Sequence, residues 1–186
     1  TVIPYWKRWM RALPTLQKLA RAKPERILKL WEGLGYYSRA RNLQSAAQKI
    51  VAEHAGIFPD EPEKIRELPG IGRYSTGAIS SIAFGRPEPI VDGNIVRILT
   101  RIFGIRQNPK DKKTREKLWE LAKTLVSATE DCSSINQSLM ELGATVCHPR
   151  QPDCGNCPVA RSCVARRQQT VDLIPAKVGP PKLIKK

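Results

Sequence analysis

The stretch Leu68-Pro69-Gly70-Ile71-Gly72-Arg73 is the part of the sequence that decides the fold. Residues 61–68 before it read as a short helix, residues 69–72 as a tight turn, and residues 73–84 as a second helix ended by Gly85. The spacing therefore predicts a helix–turn–helix hairpin. Gly70 and Gly72 permit a sharp backbone path, and they leave N–H groups bare at a helix N-terminus, where the helix dipole and unpaired donors favour a phosphate. Arg73 adds a cation at the same point. A hairpin of this kind grips nucleic acid by its backbone and reads no sequence. A plain corner between two helices also needs small turn residues, so the turn alone does not separate the two readings.

Outward from the hairpin, helical periodicity recurs. Ala40, Leu43, Ala47 and Ile50, then Ile95, Ile98, Leu99 and Ile102, then Leu118, Leu121, Ala122 and Leu125 each fall on one face of a 3.6-residue repeat. Val2, Trp6, Trp9 and Leu13 keep the same spacing at the start. Strand-type alternation is not found, and proline and glycine divide the chain into about eight to ten short helices. The expected fold class is all-α, in two lobes: a bundle over about 27–130, and a second lobe formed by 1–26 with 131–165. From 166 to 186 the text is basic and aperiodic, and is expected to be a linker or tail.

The 186 residues carry a net charge of +15, and eleven basic side chains against two acidic ones lie in residues 1–50. Such an excess predicts attraction to a polyanion, with nucleic acid the leading partner. No apolar run is long enough to span a membrane, so no membrane association is expected. No signal peptide opens the chain, and a reducing intracellular compartment is expected, where five cysteines suggest metal and not disulfides. Four of them, Cys147, Cys154, Cys157 and Cys163, form the pattern C-x6-C-x2-C-x5-C. Four thiolates suit either tetrahedral zinc or an iron–sulfur cube. Zinc ribbons more often show two C-x2-C pairs, and the single pair with unequal loops here favours a [4Fe–4S] cluster. Cys132 stands apart as an ordinary thiol.

The segment Val91-Asp92-Gly93-Asn94 lies between an apolar stretch and the helix carrying Ile95, Ile98 and Leu99. Asp92 reads first as a helix N-cap, since its carboxylate accepts the orphan N–H groups. A carboxylate beside a hairpin of this type also suits glycosidic-bond cleavage, where an anion stabilises or captures the oxocarbenium charge on the sugar.

Leu-Pro-Gly-Ile-Gly, Val-Asp-Gly-Asn and the cysteine quartet, in this order, resemble the helix–hairpin–helix DNA glycosylase superfamily, and within it the adenine DNA glycosylases (MutY family). The text Gly33-Leu-Gly-Tyr-Tyr-Ser-Arg-Ala-Arg-Asn-Leu43 and the run from Asn136 to Ala144 are also similar to that family. The resemblance covers about residues 1–165. It implies removal of adenine mispaired with 8-oxoguanine or guanine in double-stranded DNA, by a monomer, with the adenine flipped out of the helix. Asp92 matches the catalytic aspartate, Asn94 the asparagine that supports it, and Tyr36 the aromatic wedged beside the lesion base. Gly70, Gly72, Arg73 and Arg150 are implied DNA contacts, the last from the loop inside the cysteine quartet. Tyr74 stands where the similar endonuclease III family carries a lysine that attacks the sugar, and tyrosine cannot form that Schiff base. A monofunctional enzyme is therefore implied over an endonuclease III-like one, and the text Gly33-Leu-Gly-Tyr-Tyr37 sets the chain apart from the similar thymine glycosylases, which tend not to keep it.

Two family features are not matched by any residue here: the glutamate upstream of Thr-Val-Ile-Pro that protonates adenine, and a C-terminal Nudix-like domain. The expectation is of an N-terminally truncated core whose own activity is impaired, and a catalytically silent DNA-binding fragment is the rival reading. Localisation is expected to be the cytoplasm or nucleoid of a bacterium, or the nucleus or mitochondrion of a eukaryote.

Overall fold

The computed structural model describes residues 2–176. Among them there are helices and no strands, as expected for an all-α chain. The elements are α1 (Ile3–Ala12), α2 (Leu16–Arg21), α3 (Pro24–Trp31), α4 (Ser38–Glu53), α5 (Pro62–Arg66), α6 (Arg73–Ala78), α7 (Gly93–Ile102), α8 (Lys112–Ser127), α9 (Cys132–Thr145) and α10 (Val164–Arg167). Local chemistry sets many of the ends. Prolines open α1, α3 and α5, where their missing N–H costs nothing. Thr15, Asp92 and Asp131 cap α2, α7 and α9 by accepting from Lys18, Ile95 and Ser134 amides.

The chain forms two compact units, one ending at Thr76 and the other beginning at Gly77. This differs from the expected lobes of 27–130 and 1–26 with 131–165. The reason lies in the first unit, where Leu13 and Leu19 share a core with Ile27, Ala40 and Ala47, so the first 26 residues pack onto α3 and α4. A second small cluster there joins Ala46, Ile50 and Leu68 and seats the end of the α5 turn. Leu43 departs from the expected face of α4: it is exposed, as are Val2 and Trp6 of the first helical stripe.

In the second unit α7 supplies the centre of the core, with Ile95 and Leu99 packed among Ile90, Ile105, Leu118 and Ala122. The expected second hairpin helix, 73–84, is not uniform: α6 gives way at Ile79–Ala83 to a π turn holding the buried Ser80 and Ser81. The expected tail is also corrected over its first part. Ala165, Thr170 and Ile174 are buried, and Arg101 Nε donates to the Ile174 carbonyl at 2.8 Å, so residues 166–176 pack on the second unit. The remainder of the expected tail, 177–186, lies outside the described residues. No helix among the described residues is long and apolar enough to cross a membrane.

Candidate functional site

In the first unit the predicted turn is closed by the Ile71 amide donating to the Leu68 carbonyl at 3.1 Å. Gly70 sits at φ +79°, and a Cβ there would lie 2.6 Å from the Asn42 Cβ, so both backbone sign and space require glycine. Gly72, Arg73 and Tyr74 follow on the exposed start of α6, where the first N–H groups of a helix have no intrahelical acceptor. Tyr36 is 76% exposed, holds φ +47°, and lies under the Arg39 guanidinium at 5.0 Å. A bulky side chain with positive φ is strained, and such strain collects at functional sites. The Trp31 indole N–H fixes the preceding turn by donating to the Gly35 carbonyl at 2.8 Å.

In the second unit Asp92 is half-buried at the N-cap of α7. Its Oδ1 accepts from the Ile95 amide at 2.8 Å, and its Oδ2 accepts from the Asn94 side-chain amide at 3.2 Å. The two residues paired by resemblance are thus in contact. Asn94 is itself held, because Arg97 Nη2 donates to its Oδ1 at 2.9 Å. The Arg97 guanidinium also donates to the carbonyls of Gly143 and Cys147, each at 2.7 Å. The sequence reading missed Arg97, whose partners are mostly backbone carbonyls with no signature of their own. A charge set within the apolar text of α7 was the available signal.

The four cysteines line one cavity of about 30 Å³, walled by Ile98, Leu142 and Val146. None of the four is in a disulfide, nor is the buried Cys132, which donates to the Arg86 carbonyl at 3.2 Å. Among the described residues no three His, Cys, Asp or Glu side chains are gathered tightly enough for a single metal ion. Burial pushes the Cys154 thiol up, the other three cysteines add to this, and Arg101 opposes it. Arg101, which is 2% exposed, donates to Cys147 Sγ at 3.2 Å and to the His148 carbonyl at 2.7 Å. The donor set, the apolar wall and the buried cation all fit a group that carries negative charge on cysteine sulfur. Arg150 is exposed on the loop between Cys147 and Cys154.

Residues 1–124 match the family described as HhH-GPD superfamily base excision DNA repair protein. The chain is 46% identical over 182 residues to the adenine DNA glycosylase of Rattus norvegicus, covering 97% of this chain and 35% of that protein. It is 48% identical over 169 residues to that of Homo sapiens, covering 90% and 31%. With that of Buchnera aphidicola subsp. Acyrthosiphon pisum (strain APS) the figures are 39% over 177 residues, 95% and 50%. The chain thus spans between 31% and 50% of these relatives' length. Among solved structures, a thermostable thymine-DNA glycosylase superposes with a TM-score of 0.81 at 27% identity, over 90% of this chain and 76% of that one. A non-covalent endonuclease III–DNA complex gives 0.73 at 24%, over 89% and 76%, and shows the shared fold alone. Family match, hairpin and helical architecture agree, and the chain belongs to the HhH-GPD superfamily of base excision DNA repair proteins.

Proposed function

We propose that this chain is the core of a monofunctional DNA glycosylase that hydrolyses the N-glycosidic bond of adenine mispaired with 8-oxoguanine or guanine. The observation that carries the reading is the Asp92–Asn94 pair. One carboxylate oxygen is committed to the helix cap, and the other is aimed by the Asn94 amide from a half-buried position. A carboxylate fixed in this way stabilises an oxocarbenium sugar without reorganising as charge develops. The relatives' name supplies the base, and tyrosine at position 74 supplies no amine for a Schiff base. The partner is double-stranded DNA, gripped as a monomer by the Gly70–Arg73 turn, with exposed Tyr36 as the wedge beside the lesion base and Arg150 on phosphate.

Cys147, Cys154, Cys157 and Cys163 would hold a [4Fe–4S] cluster: all four line one cavity, and the single C-x2-C pair with unequal loops favours this over zinc. When bound, the cluster supplies a cross-link for the loop carrying Arg150. Hydrolysis itself needs no electron.

The test is adenine release from a mispaired duplex by the full-length protein and its Asp92→Asn variant. Release should be abolished with duplex affinity retained. Unchanged release refutes the assignment of Asp92, and a parent protein that binds but never releases adenine establishes the silent DNA-binding reading.

A further inference from the structure

We infer that Asn136, on α9, is a positioning residue for Asp92. This rests on the glycosylase reading above and extends it to a residue outside the site described so far. Asn136 is fully buried, 46 residues from the segment it holds. Its Oδ1 accepts from the Ile90 amide at 3.1 Å, and its Nδ2 donates to the Glu88 carbonyl at 2.9 Å and to Ser81 Oγ at 3.0 Å. Only one orientation of the side-chain amide satisfies this set, because the oxygen faces an N–H and the nitrogen faces a carbonyl. The Ser81 hydroxyl in turn donates to the Gly77 carbonyl at 2.7 Å.

The backbone of residues 88–90 is thereby held from two sides. Asn136 pairs with its polar groups, while Gly77 presses on the Pro89 carbonyl so closely that no Cβ fits between them. Ile90 is buried in the core with Ile95 and Leu99. Asp92 comes two residues later, and its own carboxylate is tied forward to the Ile95 amide. The carboxylate is therefore fixed by two anchors, the cap ahead of it and the Asn136 clamp behind it. A fully buried asparagine with its hydrogen bonds met by a non-repetitive segment sets the path of that segment. Here the segment delivers the proposed catalytic carboxylate.

The distinguishing experiment is single-turnover adenine release by the full-length holoprotein, with rate constant and amplitude fitted separately. Asn136→Asp keeps the acceptor for Ile90 but sets a carboxylate oxygen against the Glu88 carbonyl. Its rate constant should fall by about ten- to a hundredfold, as expected for a shift of about 1 Å at a reacting group. Amplitude per total protein and duplex affinity should stay within about twofold of the parent. A purely structural residue behaves in the opposite way, with reduced amplitude and an unchanged rate constant, and that result overturns the inference. If Asn136→Asp does not fold, Ser81→Ala decides, since it removes one of the three partners: slowing of threefold or more supports the clamp, and an unchanged rate constant overturns it. Asp92→Asn runs alongside. A parent protein that releases no adenine overturns the glycosylase reading itself, and retained release in Asp92→Asn overturns the Asp92 assignment, whereas loss of release there with a normal Asn136→Asp rate constant overturns the positioning role alone.

Discussion

Gly143→Ala tests whether the packing of α9 on α7 governs both stability and the Asp92 site. A Cβ at position 143 would lie 2.6 Å from the Asn94 Cβ, 3.1 Å from its Cγ and 3.3 Å from Arg97 Nη2. Ordinary carbon–carbon contacts are about 3.5–4.0 Å, so the helices must part there by on the order of 1 Å. Asn94 Cβ is fixed to its helix backbone and cannot yield by rotation. Overpacking of this kind costs about 1–3 kcal/mol. The Arg97 bond to the Gly143 carbonyl is stretched as well, and a bond to a charged group contributes about 1.5–3 kcal/mol. Better helix propensity of alanine returns up to about 1 kcal/mol. The net loss is about 2–4 kcal/mol, which for a chain of this size lowers Tm by roughly 5–15 °C. Thermal unfolding followed by circular dichroism measures it, with Gly93→Ala as control, because a Cβ there meets nothing within 4 Å. Equal or higher Tm for Gly143→Ala, as propensity alone dictates, refutes the close-packing account. Adenine release should fall with it, through the displaced Asn94 amide.

Arg97→Met removes the guanidinium that joins Asn94 to the Gly143 and Cys147 carbonyls; Tm should drop and adenine release should slow at least about tenfold, since a slightly misplaced catalytic geometry is costly. Arg101→Met removes the donor to Cys147 Sγ and the tie to Ile174; absorbance of the proposed cluster, once reconstituted, should decay faster under chelation than in the parent, and equal decay rejects that role. The Asp131 carboxyl is held below its ordinary value by the Ser134 side chain, then by the Ser134 amide. Its stabilising contribution is therefore present above the unfolded value near 3.8 and lost as pH falls through the folded one. Asp131→Ala should unfold more readily than the parent at neutral pH, with the difference closing in acid; a constant difference down to the acid limit contradicts it.

The parts legible in the sequence were those written in local chemistry. The Leu68–Arg73 turn, the aspartate cap of α7 and the cysteine spacing all depend on residues within a few positions of one another. Less legible were features whose partners lie far along the chain. Arg97 and Arg101 bond to carbonyls 46 to 73 residues away, and a carbonyl has no identity in sequence. Asn136 read as family text without a role for the same reason, since two of its three partners are backbone groups. Residues 166–176 looked like a linker because Ala165, Thr170 and Ile174 share no helical period, yet burial of just those side chains fixes the segment. The lobe boundaries failed where apolar faces matched more than one partner: Leu13 and Leu19 could have met any bundle, and meet α3 and α4.

Asp92 carried two readings from the outset, a helix cap and a catalytic carboxylate, and its geometry makes them one arrangement. The cap uses Oδ1, and Asn94 orients Oδ2, so neither role takes the atom the other needs. Because asparagine caps a helix about as well as aspartate, Asp92→Asn should leave α7 and the stability of the second unit nearly unchanged while removing the anion. Asp92→Ser is a second cap-retaining variant. It keeps a hydroxyl acceptor for the Ile95 amide but leaves the Asn94 amide without its partner. If both variants fold like the parent and neither releases adenine, the defect belongs to the charge and not to the cap. If both fold and release persists, the aspartate is a cap alone, and the chemistry must be sought at another residue.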